Sequence, residues 1–235
     1  LNTFLAECSA TASCAFHNGG DAESAFDALF VQLDKSPLPG PGGRADINLG
    51  VAVTGVVRAM YSDRFWPELE RSLNNAQSGD GAGLLALQDD YYQRGADGTY
   101  SNLLESFQAI SCADDPERLT VEEADQQAEV LIGAAPRLFP YSTGSYTCSF
   151  FPAAIDPRVD VTGVGAGPIV VVGTTGDPST PLDSSRRMAA ALEDGRLVVV
   201  EANQHTGYRV NSCIEDTIHS YLIQLEAPDT ETVCG

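Results

Sequence analysis

The sequence predicts an α/β fold in which a helical N-terminal part precedes a C-terminal part built on parallel strands. Apolar residues recur with helical spacing over the first 140 residues. Two continuous β-branched runs follow, at 168–172 and 197–200. Neither run alternates apolar with polar residues, which is typical of strands buried on both faces of a parallel sheet. A helical pattern separates the two runs, so we expect neighbouring strands joined by a helix.

The N-terminal part is predicted to be a series of helices joined by short loops. Leu1 opens directly into the first helix, and a loop rich in proline and glycine at 37–43 follows the second. Thr120 and Glu123 have the spacing of a capping box, which should begin the last helix of this part. After the first, the predicted helices lie at 21–35, 48–61, 64–76, 84–94, 100–110 and 121–138.

The C-terminal part is predicted to repeat a strand and a helix twice. The strand at 168–172 precedes a helix at 181–192, for which Thr180 is the expected N-cap. The strand at 197–200 precedes a helix at 213–225. This order predicts two parallel strands with a right-handed crossover. Because two parallel strands do not form a stable sheet alone, either further strands escape the pattern or most of the sheet lies outside this sequence.

Six cysteines are predicted to form three disulfides. Their even number and the lack of a CxxC pair favour disulfides over a zinc site. Six cysteines allow 15 pairings, and proximity in the sequence favours one of them. Disulfides indicate an oxidising compartment, so we expect a secreted or cell-envelope protein; six buried free thiols in a cytosolic protein are the alternative. The favoured pairs are Cys8–Cys14, Cys112–Cys148 and Cys213–Cys234.

Charge and motif content argue against several classes of function. The formal net charge is −20, from 33 acidic and 13 basic residues, and such a surface repels nucleic acid and anionic membranes. No apolar run approaches the length of a membrane span. The acidic residues are scattered without the spacing of a calcium loop, and no phosphate-binding glycine motif is present. We therefore expect no metal, no cofactor, no nucleic-acid partner and no membrane span.

Two residues at the predicted strand ends are candidates for chemistry. Asp177 follows the first strand and His205 follows the second, and catalytic groups gather beyond the carboxyl ends of parallel strands. Taken singly, Asp177 could be an ordinary turn residue and His205 a loop histidine. Their occurrence at two successive strand ends favours an acid–base pair, in which the carboxylate orients the imidazole. His17, in a predicted turn, and His219, on the last helix, are taken as incidental.

The motifs around these residues resemble those of tripeptidyl-aminopeptidase-like α/β hydrolases exported by actinomycete-type bacteria, which are related to the proline iminopeptidases. Softer likenesses lie upstream, around Cys8, Cys14 and Cys112. The resemblance implies that Asp177 is the acid and His205 the base of a serine-hydrolase triad. The matching C-terminal motifs are Gly176-Asp177-Pro178-x-Thr180-Pro181, His205-Thr206-x-Tyr208, a helix with Cys213 and Tyr221-Leu222, and a terminal Cys234.

The resemblance also implies an incomplete α/β-hydrolase fold. Residues 1–140 would be the helical cap, residues 141–166 a connection back to the core, and residues 167–235 the C-terminal part of the core. The cap would be followed by the last two parallel strands and helices of the core sheet.

The sequence departs from the family pattern at two points. Gln204 stands where the family usually has glycine before the histidine. More importantly, the chain has no G-x-S-x-G nucleophile elbow, which in this fold precedes the acid and the base. Ser145 has the wrong glycine spacing, and Ser179 follows the acid. We therefore expect the nucleophile upstream of Leu1 and no activity from this chain alone.

The resulting hypothesis is a secreted serine hydrolase that releases residues or short peptides from the amino ends of peptide substrates. Its partners would be the peptide and the upstream hydrolase segment that carries the serine. Asp89, Asp90 and Glu105 are candidates for binding a substrate amino group, although solvated helix faces are the simpler interpretation. Two alternatives stay open: a non-catalytic binding module on a hydrolase scaffold, and a small-molecule esterase of the same fold.

Overall fold

The computed structural model describes residues 1–115, 118–138, 146–152 and 159–235. The chain divides into two compact units. The N-terminal unit comprises Leu1–Arg58 and Pro67–Val159, and the C-terminal unit comprises Ala59–Trp66 and Asp160–Gly235. The short segment Ala59–Trp66 thus belongs to the C-terminal unit, although residues of the N-terminal unit flank it on both sides.

Seven α-helices lie in the described part of the chain up to residue 138. They agree with the predicted helices to within a few residues at each end. The helix bounds are α1 Asn2–Ala10, α2 Ala22–Lys35, α3 Leu49–Met60, α4 Trp66–Gln77, α5 Ala82–Tyr91, α6 Leu103–Asp114 and α7 Val121–Ala134.

Local sequence signals explain where these helices begin and which face they bury. The Asp21 side chain accepts a hydrogen bond from the N–H of Ser24 and caps α2, whose Phe26, Phe30 and Leu33 are buried at helical spacing. Thr120 and Glu123 form the predicted capping box of α7. The buried core of this unit includes Phe4, Leu5, Phe16, Phe26, Leu33, Ile47, Leu69, Leu73, Leu84 and Leu87.

The C-terminal unit contains a sheet of three parallel strands in the order β1-β2-β3. Their bounds are β1 Ile169–Thr174, β2 Gly195–Val200 and β3 Glu231–Cys234. Helix α8, Leu182–Ala191, connects β1 to β2, and α9, Ser212–His219, follows β2. The α/β class and the incomplete α/β-hydrolase fold are therefore confirmed, with three strands instead of the two that were predicted.

Strand β3 escaped prediction because it is short and only its last side chain, Cys234, is buried. It pairs with β2 from Leu197–Glu231 to Val200–Cys234. Cys234 joins Val198, Val200 and Ile214 in the buried cluster beneath the sheet. Burial of one residue gives no apolar run that periodicity could detect.

One prediction about the C-terminal helices is wrong. Helix α8 begins at Leu182 with Pro181 as its N-cap, so Thr180 does not cap it. The last helix, predicted over 213–225, is an α-helix over Ser212–His219 that continues as a turn of π-helix over Ser220–Gln224.

The three predicted disulfides are the three that the structure contains: Cys8–Cys14, Cys112–Cys148 and Cys213–Cys234. Within the described ranges, no helix is long and apolar enough to cross a membrane. No group of three or more potential metal ligands occurs in the same ranges. The predicted boundary at residues 140/141 lies outside the described residues, and the predicted division into cap, connection and core remains a prediction.

Candidate active site

The candidate site is built from the loops that follow β1 and β2. The strands are parallel neighbours, so both loops leave the sheet at the same edge. The N–H of Thr175 donates to the carbonyl of Val200 at 2.9 Å, and the N–H of Gly176 donates to the carbonyl of Ala202 at 2.8 Å. These bonds tie the loop containing Asp177 to the loop containing His205.

Glycine at position 176 permits this close approach. A Cβ atom there would lie 2.5 Å from Oδ1 of Asn203 and 2.9 Å from the carbonyl oxygen of Ala202. The Asn203 side chain can rotate away, but the Ala202 carbonyl is main chain and already accepts the Gly176 N–H. The Gly-Asp sequence is therefore required by the packing of two loops as well as by turn chemistry.

Asp177 is buried, and both of its carboxylate oxygens accept hydrogen bonds. Its Oδ1 accepts hydrogen bonds from the N–H groups of Ser179 at 2.8 Å and Thr180 at 2.7 Å. Its Oδ2 accepts from the Thr180 hydroxyl at 2.9 Å and from the N–H of Thr206 at 3.1 Å. Burial by itself raises the pKa of Asp177, but the N–H donors and His205 together hold that pKa below its usual value. The carboxylate is therefore ionised.

His205 lies beside this carboxylate. Its Nδ1 is 3.1 Å from both Oδ1 and Oδ2 of Asp177, and its side chain is 30% exposed. In the described part of the chain, Nε2 has no hydrogen-bond partner. A carboxylate at Nδ1 fixes the tautomer with the proton on that nitrogen, which leaves Nε2 as a proton acceptor. The arrangement can therefore act as a general base that becomes an acid once protonated.

The backbone after His205 adopts an uncommon conformation that serves this contact. Thr206 has φ of 71°, in the left-handed region that β-branched residues rarely occupy. This turn brings the Thr206 N–H onto the same carboxylate that the imidazole faces. Gln204, the residue before the histidine, donates its side-chain amide to the Thr206 carbonyl at 2.9 Å.

Sequence reasoning missed the segment around Tyr61. The Tyr61 carbonyl accepts a hydrogen bond from the N–H of His205 at 2.9 Å, and the two aromatic rings are in contact. Nothing in the local pattern could have indicated this, because Tyr61 follows an ordinary amphipathic helix far from the motifs. The Thr180 side chain was expected to cap α8, but its hydroxyl donates to Asp177 instead.

The remaining candidates lie elsewhere or have other partners. Asp89 forms a bidentate ion pair with Arg44, and hydrogen bonding to that guanidinium holds the pKa of Asp89 below its usual value. Asp90 is paired with Arg58. Glu105 lies in the first turn of α6. Ser179 contributes its main-chain N–H to Asp177, and Ser145 lies outside the described residues.

Comparison with known proteins finds one family model and several longer relatives that resemble this chain. Residues 140–234 match the family model described as TAP-like protein, which belongs to the α/β hydrolases. The whole chain is 32% identical, over 251 aligned residues, to a protein named carboxylesterase B from Mycobacterium tuberculosis and to putative hydrolase Mb2247c from Mycobacterium bovis. It is 30% identical, over 250 aligned residues, to serine protease Hip1 from Mycobacterium tuberculosis.

The chain spans about half the length of these curated relatives, 46% of carboxylesterase B and 47% of Hip1. In both, the similarity covers all of this chain. The matched region of the relatives is their C-terminal portion. Residues 140–234 of the chain thus match the TAP-like α/β-hydrolase family, and the whole chain is similar to the C-terminal portion of these longer proteins.

Proposed function

We propose that this chain supplies the acid, Asp177, and the general base, His205, of a serine-hydrolase triad. The observation that carries the proposal is the 3.1 Å contact between the Asp177 carboxylate and Nδ1 of His205. The other hydrogen bonds of the buried carboxylate come from Ser179, Thr180 and Thr206 and fix its position. The carboxylate therefore holds the imidazole in one orientation. Nε2 is left to exchange a proton with a nucleophile.

The proposed reaction follows from this arrangement. His205 Nε2 takes the proton from a serine hydroxyl as the serine oxygen attacks the substrate carbonyl. Asp177 stabilises the imidazolium that forms. The imidazolium then gives its proton to the leaving group, and an acyl-enzyme remains. Water, deprotonated by the same nitrogen, attacks the acyl carbonyl, and the imidazolium returns the proton to the serine oxygen as the acyl–oxygen bond breaks and the acid product leaves.

The nucleophilic serine is proposed to lie in a segment upstream of Leu1. Two facts support this: the relatives are about twice as long as the chain, and the G-x-S-x-G elbow of α/β hydrolases precedes the acid and base in the sequence. The upstream segment would also supply further strands. Strand β1 has no partner on its outer side among the described residues, and edge strands are sites where further strands add.

A peptidase acting from the amino end of its substrates is the proposed activity. The similarity to serine protease Hip1 and to the TAP-like family supports it. An esterase is the second candidate, because the chain is 32% identical to carboxylesterase B. The three disulfides support an extracytoplasmic location, where such bonds persist.

The proposal is tested by labelling with a fluorophosphonate probe, which reacts with activated serines. The 235-residue chain should not be labelled. The same chain extended by its upstream segment should be labelled, and His205→Ala should abolish that labelling. His219→Ala is the matched control, because it removes another histidine of the same unit. Labelling of the 235-residue chain, or persistence in His205→Ala, would contradict the proposed roles.

Substrate competition separates the two candidate activities. The extended protein is given tripeptide amides with a free amino end, the same peptides acetylated, and short-chain nitrophenyl esters. An aminopeptidase prefers the free amino end by a large factor in kcat/KM. An esterase hydrolyses the esters and neither peptide. A non-catalytic module hydrolyses none of the three.

A further inference from the structure

A short antiparallel contact joins the segment between α3 and α4 to the loop containing His205. The Tyr61 carbonyl accepts the N–H of His205 at 2.9 Å, and the N–H of Asp63 donates to the carbonyl of Asn203 at 3.1 Å. Ser62 and Gln204 lie opposite each other in an isolated β-bridge. Three consecutive residues of the segment thus face three consecutive residues of the loop. We call residues 61–63 the strap.

The strap also contacts the imidazole itself. The Tyr61 and His205 ring centroids are 5.5 Å apart, and the ring planes are at 88°. This is the edge-to-face geometry that aromatic pairs prefer. A hydrogen bond at Nδ1 limits where one atom of the ring lies, but the ring can still tilt about that bond. Contact with a second ring limits the tilt.

We propose that Tyr61 is a positioning residue for His205, and that the strap is the part of the sequence's helical half that holds the proposed general base. This inference rests on the proposed function of His205. The Tyr61 carbonyl fixes the backbone of His205, the Tyr61 ring fixes the plane of the imidazole, and Asp177 fixes its Nδ1. The three restraints together leave Nε2 pointing in one direction.

The connection of the strap to its flanking helices gives it little freedom. Helix α3 ends at Met60 and α4 begins at Trp66, and a 3₁₀ turn over Asp63–Phe65 fills most of the interval.

A spectroscopic test uses the 235-residue chain and does not depend on activity. The chain has three histidines, so His17→Gln and His219→Gln assign the ring resonances of His205. Tyr61→Leu removes the aromatic ring but keeps the carbonyl, and it should shift the His205 ring protons while leaving those of His17 in place. Tyr61→Phe should restore the positions found in the unsubstituted chain.

Tyr221→Leu is the matched control for loss of a tyrosine in the same unit. The Tyr221 hydroxyl donates to the Pro168 carbonyl at 2.8 Å. Loss of this hydrogen bond in Tyr221→Leu should lower stability without moving the His205 resonances. If Tyr61→Leu fails to fold, nuclear Overhauser contacts between the Tyr61 and His205 rings in the unsubstituted chain decide the geometry. Unmoved His205 resonances in folded Tyr61→Leu, or absent contacts, would overturn the proposal.

A kinetic test uses the chain extended by its upstream segment. A tilted base slows proton transfer without weakening substrate binding, so Tyr61→Leu should lower kcat by up to about 100-fold and leave KM unchanged. Tyr61→Phe should recover kcat. If the unsubstituted extended protein is active and Tyr61→Leu keeps its kcat, the positioning role is wrong and the proposed function stands. If the unsubstituted protein is inactive, the proposed function fails and the resonances alone decide the role of Tyr61.

Discussion

The N–H of Thr206 donates a hydrogen bond to Oδ2 of Asp177, at 3.1 Å, beside the contact that the same carboxylate makes with the His205 ring. Asp177 therefore binds both the side chain and the main chain of the loop after β2. The main-chain bond does not depend on the imidazole. The loop should keep its place when the imidazole is removed but not when the carboxylate is.

We expect His205→Ala to destabilise the chain less than Asp177→Ala does. The first substitution removes one contact with a charged group, which costs no more than about 3 kcal/mol. The second leaves four donors, those of Ser179, Thr180 and Thr206, without their shared acceptor. Urea denaturation of the 235-residue chain measures both, and the reverse order would contradict the account of Asp177 as the centre of the site.

In the chain extended by its upstream segment, the effect of His205→Ala on activity should be separable from its effect on stability. His205→Ala should reduce kcat by about 10⁴-fold or more, as removal of a triad base does. Its fold should remain. A variant that lost activity in step with stability would instead indicate a structural role for the histidine.

The charge of Asp177 predicts a specific acid sensitivity. Its folded pKa lies below the usual 3.8, so the ionised carboxylate contributes stability that is complete above pH 3.8 and is lost as the pH falls through the lowered value. Asp177→Asn removes this contribution. The difference in unfolding free energy between the unsubstituted chain and Asp177→Asn should therefore narrow as the pH falls below 3.8. A difference that is constant with pH would show that the carboxylate is not preferentially ionised in the folded state.

Much of the site could be predicted because its determinants are local. Strand ends of a parallel sheet lie at one edge, so the two motifs containing Asp177 and His205 were expected to meet there. The capping box of Thr120 and Glu123 is likewise a contact over three residues. The disulfides join cysteines that follow one another in the sequence.

The features that could not be predicted depend on competition between hydrogen-bond partners or on contacts between residues far apart in the sequence. Thr180 has the position of an N-cap, but its hydroxyl donates instead to the buried charge of Asp177, and hydrogen bonds to charged groups are stronger than neutral ones. Tyr61 reaches His205 through tertiary structure alone. Strand β3 is formed by its pairing with β2 and by a disulfide, rather than by its own apolar pattern.

Gly176→Ala should disturb the junction of the two loops. The added Cβ would meet the Ala202 carbonyl at 2.9 Å, so the loops must separate slightly, and overpacking of this kind costs about 1–3 kcal/mol. Gly133→Ala is the matched control, because an added Cβ in α7 meets nothing within 4 Å and alanine favours a helix over glycine. Thermal unfolding should show a lower Tm for Gly176→Ala and an unchanged or higher one for Gly133→Ala.

The disulfide Cys213–Cys234 should stabilise the site through the last strand. It joins α9 to β3 across 21 residues, a separation for which loop closure contributes about 3 kcal/mol. The carbonyl of Cys234 accepts the N–H of Glu201 at 2.9 Å, and Glu201 is the first residue after β2, where the loop that carries His205 begins. Loosening β3 therefore loosens the start of that loop.

The double substitution Cys213→Ala with Cys234→Ala tests this by hydrogen exchange. The Glu201 amide should exchange faster in the variant than in the unsubstituted chain, because β3 then detaches from β2 without the covalent link. The control is the double substitution Cys8→Ala with Cys14→Ala, which removes a disulfide of the other unit that spans only six residues. It should leave the exchange rate of the Glu201 amide unchanged. Equal exchange at Glu201 in all three proteins would mean that β3 is held by its strand pairing alone, and that the disulfide has no part in ordering the loop of His205.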